Sequence, residues 1–303
     1  MEISMGILGR AALAVCLATV WLPPGSAGEP LPRAPASASF PVSLARGGRI
    51  LVDARINRQP VQALLDSAAE MSFVDRPLAA RLRLRSQETA AGRGSGRSSF
   101  EAGLVKGVEL EAFGLVLRDQ TVATASLQDV GRRLLGHRLD LILGREIFDA
   151  ARLRIDIEAG TVTVADRNIT PAGMQLGLLE EHGVETIPVR AEGAPVRATF
   201  DTGNGSQVLV SSRLADRLHL LTDGRPVRQG RGGGLGGETL RKVFTLRSLE
   251  VAGQTLHEVA AAVDEQPNAS DLNVGISVLR HFIVTSDFAA RAVWLEPRPA
   301  TSR

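Results

Sequence analysis

The chain contains an internal repeat that covers most of its length. The segment ILVDARINRQPVQALLD (50–66) aligns without a gap with ETIPVRAEGAPVRATFD (185–201), at an offset of 135 residues. Two further blocks recur in the same order: LAARLRL (78–84) with LADRLHL (214–220), and DLILGREIFDAARLRID (140–156) with DLNVGISVLRHFIVTSD (271–287). Three matched blocks in one order indicate a duplicated structural unit, so the sequence predicts two halves of similar fold.

Each half has the sequence pattern of a small β unit. Short apolar or alternating segments, such as VDARI and IPVRA, lead into turns that contain Gly, Asn or Pro, as in β-hairpins. The second strand of each half, VQALLD or VRATFD, ends on an aspartate, and a short amphipathic helix, a Gly-rich stretch and further strands follow. We therefore predict an all-β fold with two lobes, at 46–165 and 184–297, joined by a linker at 166–183.

The first thirty residues have the pattern of a targeting segment. Arg10 precedes an apolar stretch at 11–22, and Pro23, Pro24 and the small residues of 25–27 follow it, as in a secretory signal peptide. We predict a signal peptide at 1–27, a Pro/Ala/Ser-rich tether at 28–45, and export to the periplasm or the medium. Two alternatives stay open: a short buried helix, and membrane tethering through an uncleaved signal. Cleavage would remove Cys16, the single cysteine of the chain.

Composition and motifs exclude several classes of protein. The 35 basic and 33 acidic residues nearly balance, which argues against a nucleic-acid-binding protein. No apolar run reaches the ~18 residues that a membrane-spanning helix needs, so we expect no such span in the mature chain. The five histidines lack metal-ligand spacing, and the Gly-x-Gly-x-x-Gly match at 232–237 lacks a preceding strand. We therefore predict neither a metal nor another cofactor.

Several segments resemble one family of hydrolases. LLDSAAEMSFVDRPLAARLRL and FDTGNGSQVLVSSRLADRLHL resemble the active-site segments of retropepsin-like aspartic proteases, and LILG and LNVG resemble the strand that supports the catalytic loop in that family. The resemblance covers roughly residues 46–297 and looks like a bacterial form in which both halves are fused. It implies a pseudo-dimeric acid-protease fold in a monomer. Pepsin-type relatives are longer, use a flap tyrosine and carry disulfides, whereas this chain has no tyrosine.

The resemblance implies a role for matched residues in the two halves. Asp66 and Asp201 would form the catalytic pair, sharing one proton and activating a water molecule that attacks the peptide carbonyl. Ser67 and Thr202 would hydrogen-bond across the two loops, while Gly203 would let the backbone approach the aspartates. The remaining residues implied are the supporting glycines Gly144 and Gly275, and the glycines of two flaps at 92–96 and 230–237, namely Gly94, Gly96, Gly233 and Gly234.

Several positions depart from the family pattern, among them Asn204 and Gly205, which stand where the family usually has small residues. Ala68 stands where the family has glycine, and Asn273 replaces an apolar residue of the supporting strand. The leading interpretation is an exported aspartic endopeptidase acting on extended peptides or proteins at acid to neutral pH. Two alternatives remain: a catalytically degenerate peptide-binding protein of the cell envelope with the same fold, and a structural β-protein. Asp156 and Asp287 also match between the halves, but they lie beside hairpin turns, which favours a structural role.

Overall fold

The two halves of the repeat form two eight-stranded sheets with the same strand order. The structure is a computed structural model that describes residues 38–267 and 269–299. In spatial order, the N-terminal sheet consists of β2 (Ser43–Leu44), β3 (Ile50–Ile56), β4 (Gln59–Leu65), β9 (Leu141–Leu143), β5 (Phe73–Asp75), β8 (Leu115–Ala125), β7 (Phe100–Ala112) and β6 (Glu88–Gly92).

The C-terminal sheet repeats this arrangement strand for strand. It consists, again in spatial order, of β13 (Leu179–Glu181), β14 (Val184–Ala191), β15 (Ala194–Phe200), β20 (Leu272–Val274), β16 (Val208–Ser211), β19 (Gln254–Asp264), β18 (Gly237–Val251) and β17 (Arg228–Gly234). Both sheets also contain one extra pairing, β3 with β7 and β14 with β18. The prediction of a two-lobed, pseudo-dimeric all-β fold is therefore confirmed.

A third sheet of six strands joins the two halves. Its spatial order is β1 (Ser39–Pro41), β11 (Thr161–Val164), β10 (Leu153–Asp156), β21 (Phe282–Asp287), β22 (Ala292–Pro297) and β12 (Met174–Gly177). The central strands β10 and β21 run antiparallel, with Leu153 opposite Ser286. Next to this seam, the buried Arg152 donates from Nε to Asp287 Oδ2 at 3.0 Å. Backbone and ion-pair contacts thus hold the halves together.

The segments expected to connect domains contribute strands to these sheets. Ser39–Pro41, within the predicted tether at 28–45, pairs with Thr161–Thr163 as β1, and β2 extends the N-terminal sheet. The predicted linker at 166–183 likewise contains β12 and β13, which pair with β22 and β14. The backbone N–H and C=O groups of these segments pair with strands at the edges of the sheets. This pairing explains why the segments are extended although their sequences lack a strand pattern. The lobe boundaries stay a prediction, and the predicted signal peptide lies outside the described residues.

In the described part of the chain, five short helices connect the strands: α1 (Arg76–Arg81), α2 (Gln128–Val130), α3 (Arg145–Ala150), α4 (Ser212–Arg217) and α5 (Ile276–Leu279). A 3₁₀ turn at Arg46–Gly48 and a π-helical turn at Gly131–Leu135 complete them. The helices α1 and α4 come from the matched LAARL and LADRL segments, and Ser211 caps α4 by accepting from Leu214 N–H. Within 38–267 and 269–299, no helix has the length and apolar character needed to cross a membrane.

The core sits between the sheets and continues from one lobe into the other. In β3 every second residue from Ile50 to Ile56 is buried, as the two-residue period of a strand requires. One large apolar cluster contains residues of both lobes, such as Phe148 and Phe200. Asp156 and Asp287 each accept a backbone N–H three residues later, which closes the hairpin turns β10–β11 and β21–β22. Their contacts are structural.

Candidate active site

The two matched aspartates lie at the ends of equivalent strands. Asp66 directly follows β4, and its N–H donates to the carbonyl of Leu143 at 2.9 Å. Asp201 directly follows β15, and its N–H donates to the carbonyl of Val274 at 3.1 Å. Each aspartate is thus tied to the last residue of a parallel neighbouring strand, β9 or β20. The duplicated topology brings both loops to the interface between the lobes.

Ser67 and Thr202 link the two loops by four reciprocal hydrogen bonds. Ser67 Oγ donates to the carbonyl of Phe200 at 2.8 Å and accepts from Thr202 N–H at 2.9 Å. Thr202 Oγ1 donates to the carbonyl of Leu65 at 2.9 Å and accepts from Ser67 N–H at 3.0 Å. Both side chains are buried, so these bonds compete little with water. They fix the position of one aspartate relative to the other.

The two carboxyl groups are close neighbours, because the backbone of Gly203 lies against the carboxyl group of Asp66 while its N–H donates to Asp201 Oδ1 at 2.9 Å. A side chain on Gly203 would overlap with the carboxyl group of Asp66, so only glycine permits this approach. The supporting glycines have the same explanation, because a side chain on Gly144 would overlap with the backbone of Met71, and one on Gly275 with the backbone of Asn204. At these three positions the close approach of another group requires glycine.

The predicted flaps meet over the aspartates. One is the loop between β6 and β7, and the other is the turn between β17 and β18. Gly96 N–H donates to the carbonyl of Leu235 at 2.9 Å, and Ser98 N–H donates to that of Gly236 at 3.0 Å. Side chains on Gly94 or Gly96 would overlap with the opposite flap. The structure therefore brings the two Gly-rich segments into direct contact.

Each flap is also held by side chains of the opposite lobe. Arg133 donates to the carbonyls of Gly233 and Gly234, at 3.3 and 3.0 Å. In the other direction, Arg241 donates to the carbonyl of Ser95 at 2.6 Å, and Gln266 donates to that of Gly96 at 2.7 Å. Sequence reasoning missed these three side chains, because none of them belongs to a matched motif.

The flaps and the aspartate loops line a cavity of about 580 Å³. Asp66 and Asp201 both line it, and each keeps some exposed surface. Among the described residues, no cluster of three His, Cys, Asp or Glu side chains is arranged to hold a metal ion. The cavity presents two neighbouring carboxyl groups to a ligand.

Comparison with protein families agrees with this geometry. A family model described as aspartyl protease matches residues 52–147 and 187–278, one segment in each lobe. The chain belongs to the retropepsin-like aspartyl protease family. The two matched segments contain both aspartates, both supporting glycines and both flaps. A comparison with curated proteins gave no match.

Within this aspartyl protease fold the two aspartates have different surroundings. Asp66 Oδ1 accepts from Ala68 N–H at 3.0 Å. Asp201 accepts from the N–H groups of Gly203 and Asn204 at 2.9 and 3.0 Å, and also from Asn273 Nδ2 at 2.6 Å. Hydrogen bonds to a carboxylate favour its charged form. The residue that matches Asn273 in the first lobe is Ile142, which has no polar group to donate.

These surroundings separate the acidities of the pair. Burial in the protein and the charge of the neighbouring Asp201 raise the pKa of Asp66, while the backbone N–H groups of Ala68 and Ala69 act in the opposite direction. Burial also raises the pKa of Asp201, but its bonds to Asn273 and to two backbone N–H groups act in the opposite direction. Two carboxyl groups this close share a single proton. The geometry therefore favours the proton on Asp66 and the negative charge on Asp201.

Arg49 is a charged neighbour of the pair that sequence reasoning missed. Its side chain is buried, and it donates from Nε to the carbonyl of Gly203 at 3.1 Å and from Nη1 to that of Arg46 at 2.9 Å. The positive charge favours the ionised form of both aspartates, and burial lowers the pKa of Arg49 itself. The matched residue of the second lobe is Val184, so the repeat gave no signal for this position.

The departure at Ala68 leaves the loop geometry intact. Ala68 lies outside the left-handed region of backbone angles, so its conformation does not require glycine. Its N–H still donates to Asp66, as that of Gly203 does to Asp201. The methyl group lines the cavity. We conclude that Ala68 changes the shape of the cavity floor while the hydrogen bond to Asp66 is kept.

Proposed function

We propose that the protein is an aspartic endopeptidase that hydrolyses peptide bonds with a water molecule activated by Asp66 and Asp201. The observation that carries the proposal is the pair of aspartate loops bonded to each other by Ser67 and Thr202, which brings both carboxyl groups to the floor of a cavity that two flaps cover. Membership of the aspartyl protease family supports peptides as the class of substrate. Because both halves of the site belong to one chain, we expect a monomer to be active.

In this mechanism the two aspartates have different tasks. The ionised Asp201 accepts a proton from the water, whose oxygen attacks the peptide carbonyl carbon. The protonated Asp66 transfers its proton to the carbonyl oxygen as the tetrahedral intermediate forms. Asp201 then delivers its proton to the leaving nitrogen as the C–N bond breaks, and Asp66 recovers a proton from the hydroxyl group that becomes part of the new carboxyl group. Both aspartates return to their starting states.

The flaps supply the second requirement, a site closed to solvent. Closure over an extended peptide would exclude water other than the attacking molecule and would strengthen the electrostatic interactions inside. The contacts between the flaps, and those of Arg133, Arg241 and Gln266, hold the two flaps together over the cavity in this structure. An extended peptide that passes beneath the flaps would have to displace them, so we expect these bonds to open during binding.

The test is cleavage of an unfolded protein or a peptide mixture by the purified chain, from about pH 3 to about pH 7, the range that brackets a carboxyl pair with one shared proton. Asp66→Asn and Asp201→Asn are each expected to abolish cleavage. Asp53→Asn, an exposed aspartate of β3, is the matched control and should cleave as the wild type does. Cleavage that survives in either active-site variant would disprove the proposal.

The alternative of a degenerate peptide-binding protein rests on Ala68 and predicts a different outcome. If the added methyl group prevents turnover, the wild type binds peptides and cleaves none, and Ala68→Gly restores cleavage. The preserved hydrogen bond from Ala68 N–H to Asp66 favours the active enzyme. Cleavage by the wild type decides between the two.

We further propose that the protein is exported, with its signal peptide at 1–27. The support is the order of basic residue, apolar stretch, prolines and small residues in the sequence. Cell fractionation followed by N-terminal sequencing should find the chain outside the cytoplasm, beginning after residue 27. A membrane-bound chain with an intact N-terminus would instead support tethering.

A further inference from the structure

The duplication allows the two walls of the cavity to be compared position by position. Two residues before each catalytic aspartate, the N-terminal lobe has Leu64 and the C-terminal lobe has Thr199. Two residues before each supporting glycine, the same lobes have Ile142 and Asn273. All four residues line the cavity. At both positions, an apolar side chain in the first lobe is matched by a polar one in the second.

A third pair of positions shows the same contrast with a charge. Leu104 lies opposite Ala123 in the N-terminal sheet, and Val243 lies opposite Ala262 in the C-terminal sheet. Leu104 and Val243 are therefore equivalent positions of β7 and β18. Two residues earlier in these strands, the first lobe has Ala102 and the second has Arg241. Both line the cavity. A small apolar residue is thus matched by a guanidinium group that is only 6% exposed.

Arg241 has hydrogen-bond donors to spare. A guanidinium group carries five N–H donors. Within 38–267 and 269–299, Arg241 makes one hydrogen bond, from Nη2 to the carbonyl of Ser95, and Asp264 lies 3.8 Å away, beyond hydrogen-bond distance. The hydroxyl of Thr199 likewise has no hydrogen-bond partner in the described part of the chain. Both groups face a cavity that a substrate would fill.

The wall of the N-terminal lobe is apolar over a wider area. The helix α2 and the following π-helical turn, at 128–135, contribute Val130, Leu134 and Leu135 to the cavity. The corresponding connection in the C-terminal lobe, between β19 and β20, is shorter and contributes Gln266, Ala269 and Ser270. Among the described residues, the apolar cluster that includes the first wall has seven buried side chains, whereas the cluster that includes part of the second wall has three.

The two walls therefore favour opposite kinds of substrate side chain. A polar side chain against the first wall would lose its water without gaining a partner, which is unfavourable. An apolar side chain against the second wall would cover the donors of Arg241 and Thr199 and leave them unbonded, which is also unfavourable. Because Asp264 offsets the charge of Arg241, the second wall favours an acceptor oxygen, whether or not the side chain is ionised.

We infer that the cavity accepts a large apolar side chain against the N-terminal lobe and a side chain with an acceptor oxygen, such as Glu or Gln, against the C-terminal lobe. Since Asp66 and Asp201 lie between the lobes, these two side chains belong to opposite sides of the bond that is cleaved. The inference rests on the proposed function and adds the class of substrate to it.

The first experiment measures cleavage of four peptides that differ only at the two residues of the scissile bond: Leu–Leu, Leu–Glu, Glu–Leu and Glu–Glu. One of the two mixed peptides should be cleaved with a kcat/KM about tenfold or more above that of both uniform peptides, as expected for one hydrogen bond to a charged group. Leu–Leu as the best substrate of the four would overturn the inference and leave the proposed function standing.

Variants of the second wall identify the residues responsible. Arg241→Met keeps the length of the side chain and should lower the preference for the best mixed peptide over Leu–Leu about tenfold. Arg247→Met is the matched control, because Arg247 is an exposed residue of the same strand that pairs with Asp223 away from the cavity. If loss of the bond to Ser95 prevents Arg241→Met from folding, Thr199→Val removes a hydroxyl without breaking any bond and should lower the same preference.

A wild type that cleaves none of the peptides would count against the proposed function alone. The Asp66→Asn protein then provides a binding measurement with the same four peptides. Tighter binding of one mixed peptide than of both uniform ones supports the asymmetric cavity. Equal affinities, or tightest binding of Leu–Leu, overturn it.

Discussion

Replacing Asn273 with isoleucine, the residue at the matching position 142, is expected to shift the pH dependence of cleavage. Asn273 Nδ2 lies 2.6 Å from Asp201 Oδ2 and donates a hydrogen bond to it. This bond stabilises the charged form of Asp201, the form that accepts the proton from water in the proposed mechanism. Without the bond, the pKa of Asp201 rises, and the ionised base is present only at higher pH.

The size of the shift follows from the kind of bond that is lost. A hydrogen bond to a charged group contributes about 1.5–3 kcal/mol, and one pKa unit corresponds to about 1.36 kcal/mol. The acidic limb of the activity profile should therefore move up by about one to two pH units. The bonds from Gly203 and Asn204 to Asp201 remain, so activity should persist at higher pH.

The measurement is kcat/KM for one peptide as a function of pH, for the wild type and for Asn273→Ile. Ile142→Val is the control at the matching position of the other lobe. Whatever its effect on the rate, it removes no hydrogen bond from Asp66 and should leave the acidic limb in place. An active Asn273→Ile enzyme with an unchanged acidic limb would refute the assignment of the negative charge to Asp201.

Three further predictions concern the parts of the fold that hold the site. Gly275→Ala should lower the free energy of unfolding by about 1–3 kcal/mol in a denaturant titration, because the new methyl group overlaps with backbone, whereas Gly177→Ala, with nothing within 4 Å, should have little effect. Arg133→Ala should speed amide hydrogen exchange in the flap that it holds, and the exposed Arg132→Ala should not. Asp287→Asn should cost about 3–5 kcal/mol of stability at neutral pH, since it breaks a buried ion pair; an unchanged melting temperature would contradict this.

The repeat made the topology predictable, because matched blocks in one order leave few arrangements for two halves of equal length. The matched motifs also named the residues that the structure brings together at the interface, from Asp66 and Asp201 to the cross-loop pair Ser67 and Thr202. The pattern of VDARI predicted a strand, and the structure has β3 there. These features are local patterns, or repeated ones, and a single sequence carries both kinds.

The features that sequence reasoning missed involve residues that occur in one lobe and have no residue of the same type at the matching position of the other. Arg49 reaches the aspartates from a turn that has no matched residue of the same type, and its contact with Gly203 spans 154 positions. Asn273 was noticed as a departure from the family pattern, but its bond to Asp201 depends on side-chain geometry. Strands β1 and β12 were expected to be connecting segments, because an edge strand is stabilised by backbone pairing and needs no apolar alternation.

The residues that differ between the two halves also explain what a fused chain offers over a pair of identical chains. Two copies of the N-terminal lobe would place Ile142 beside both aspartates, and the shared proton would have no preferred carboxyl group. In the fused chain Asn273 breaks this equivalence at Asp201, and Thr199 and Arg241 break it on the adjoining wall. In the proposed enzyme, the wall that orients the peptide and the hydrogen bond that selects the base thus lie in one lobe. The proposed mechanism therefore gives a peptide held in one direction the same aspartate as base in every turnover, a coupling that an identical pair of lobes would lack.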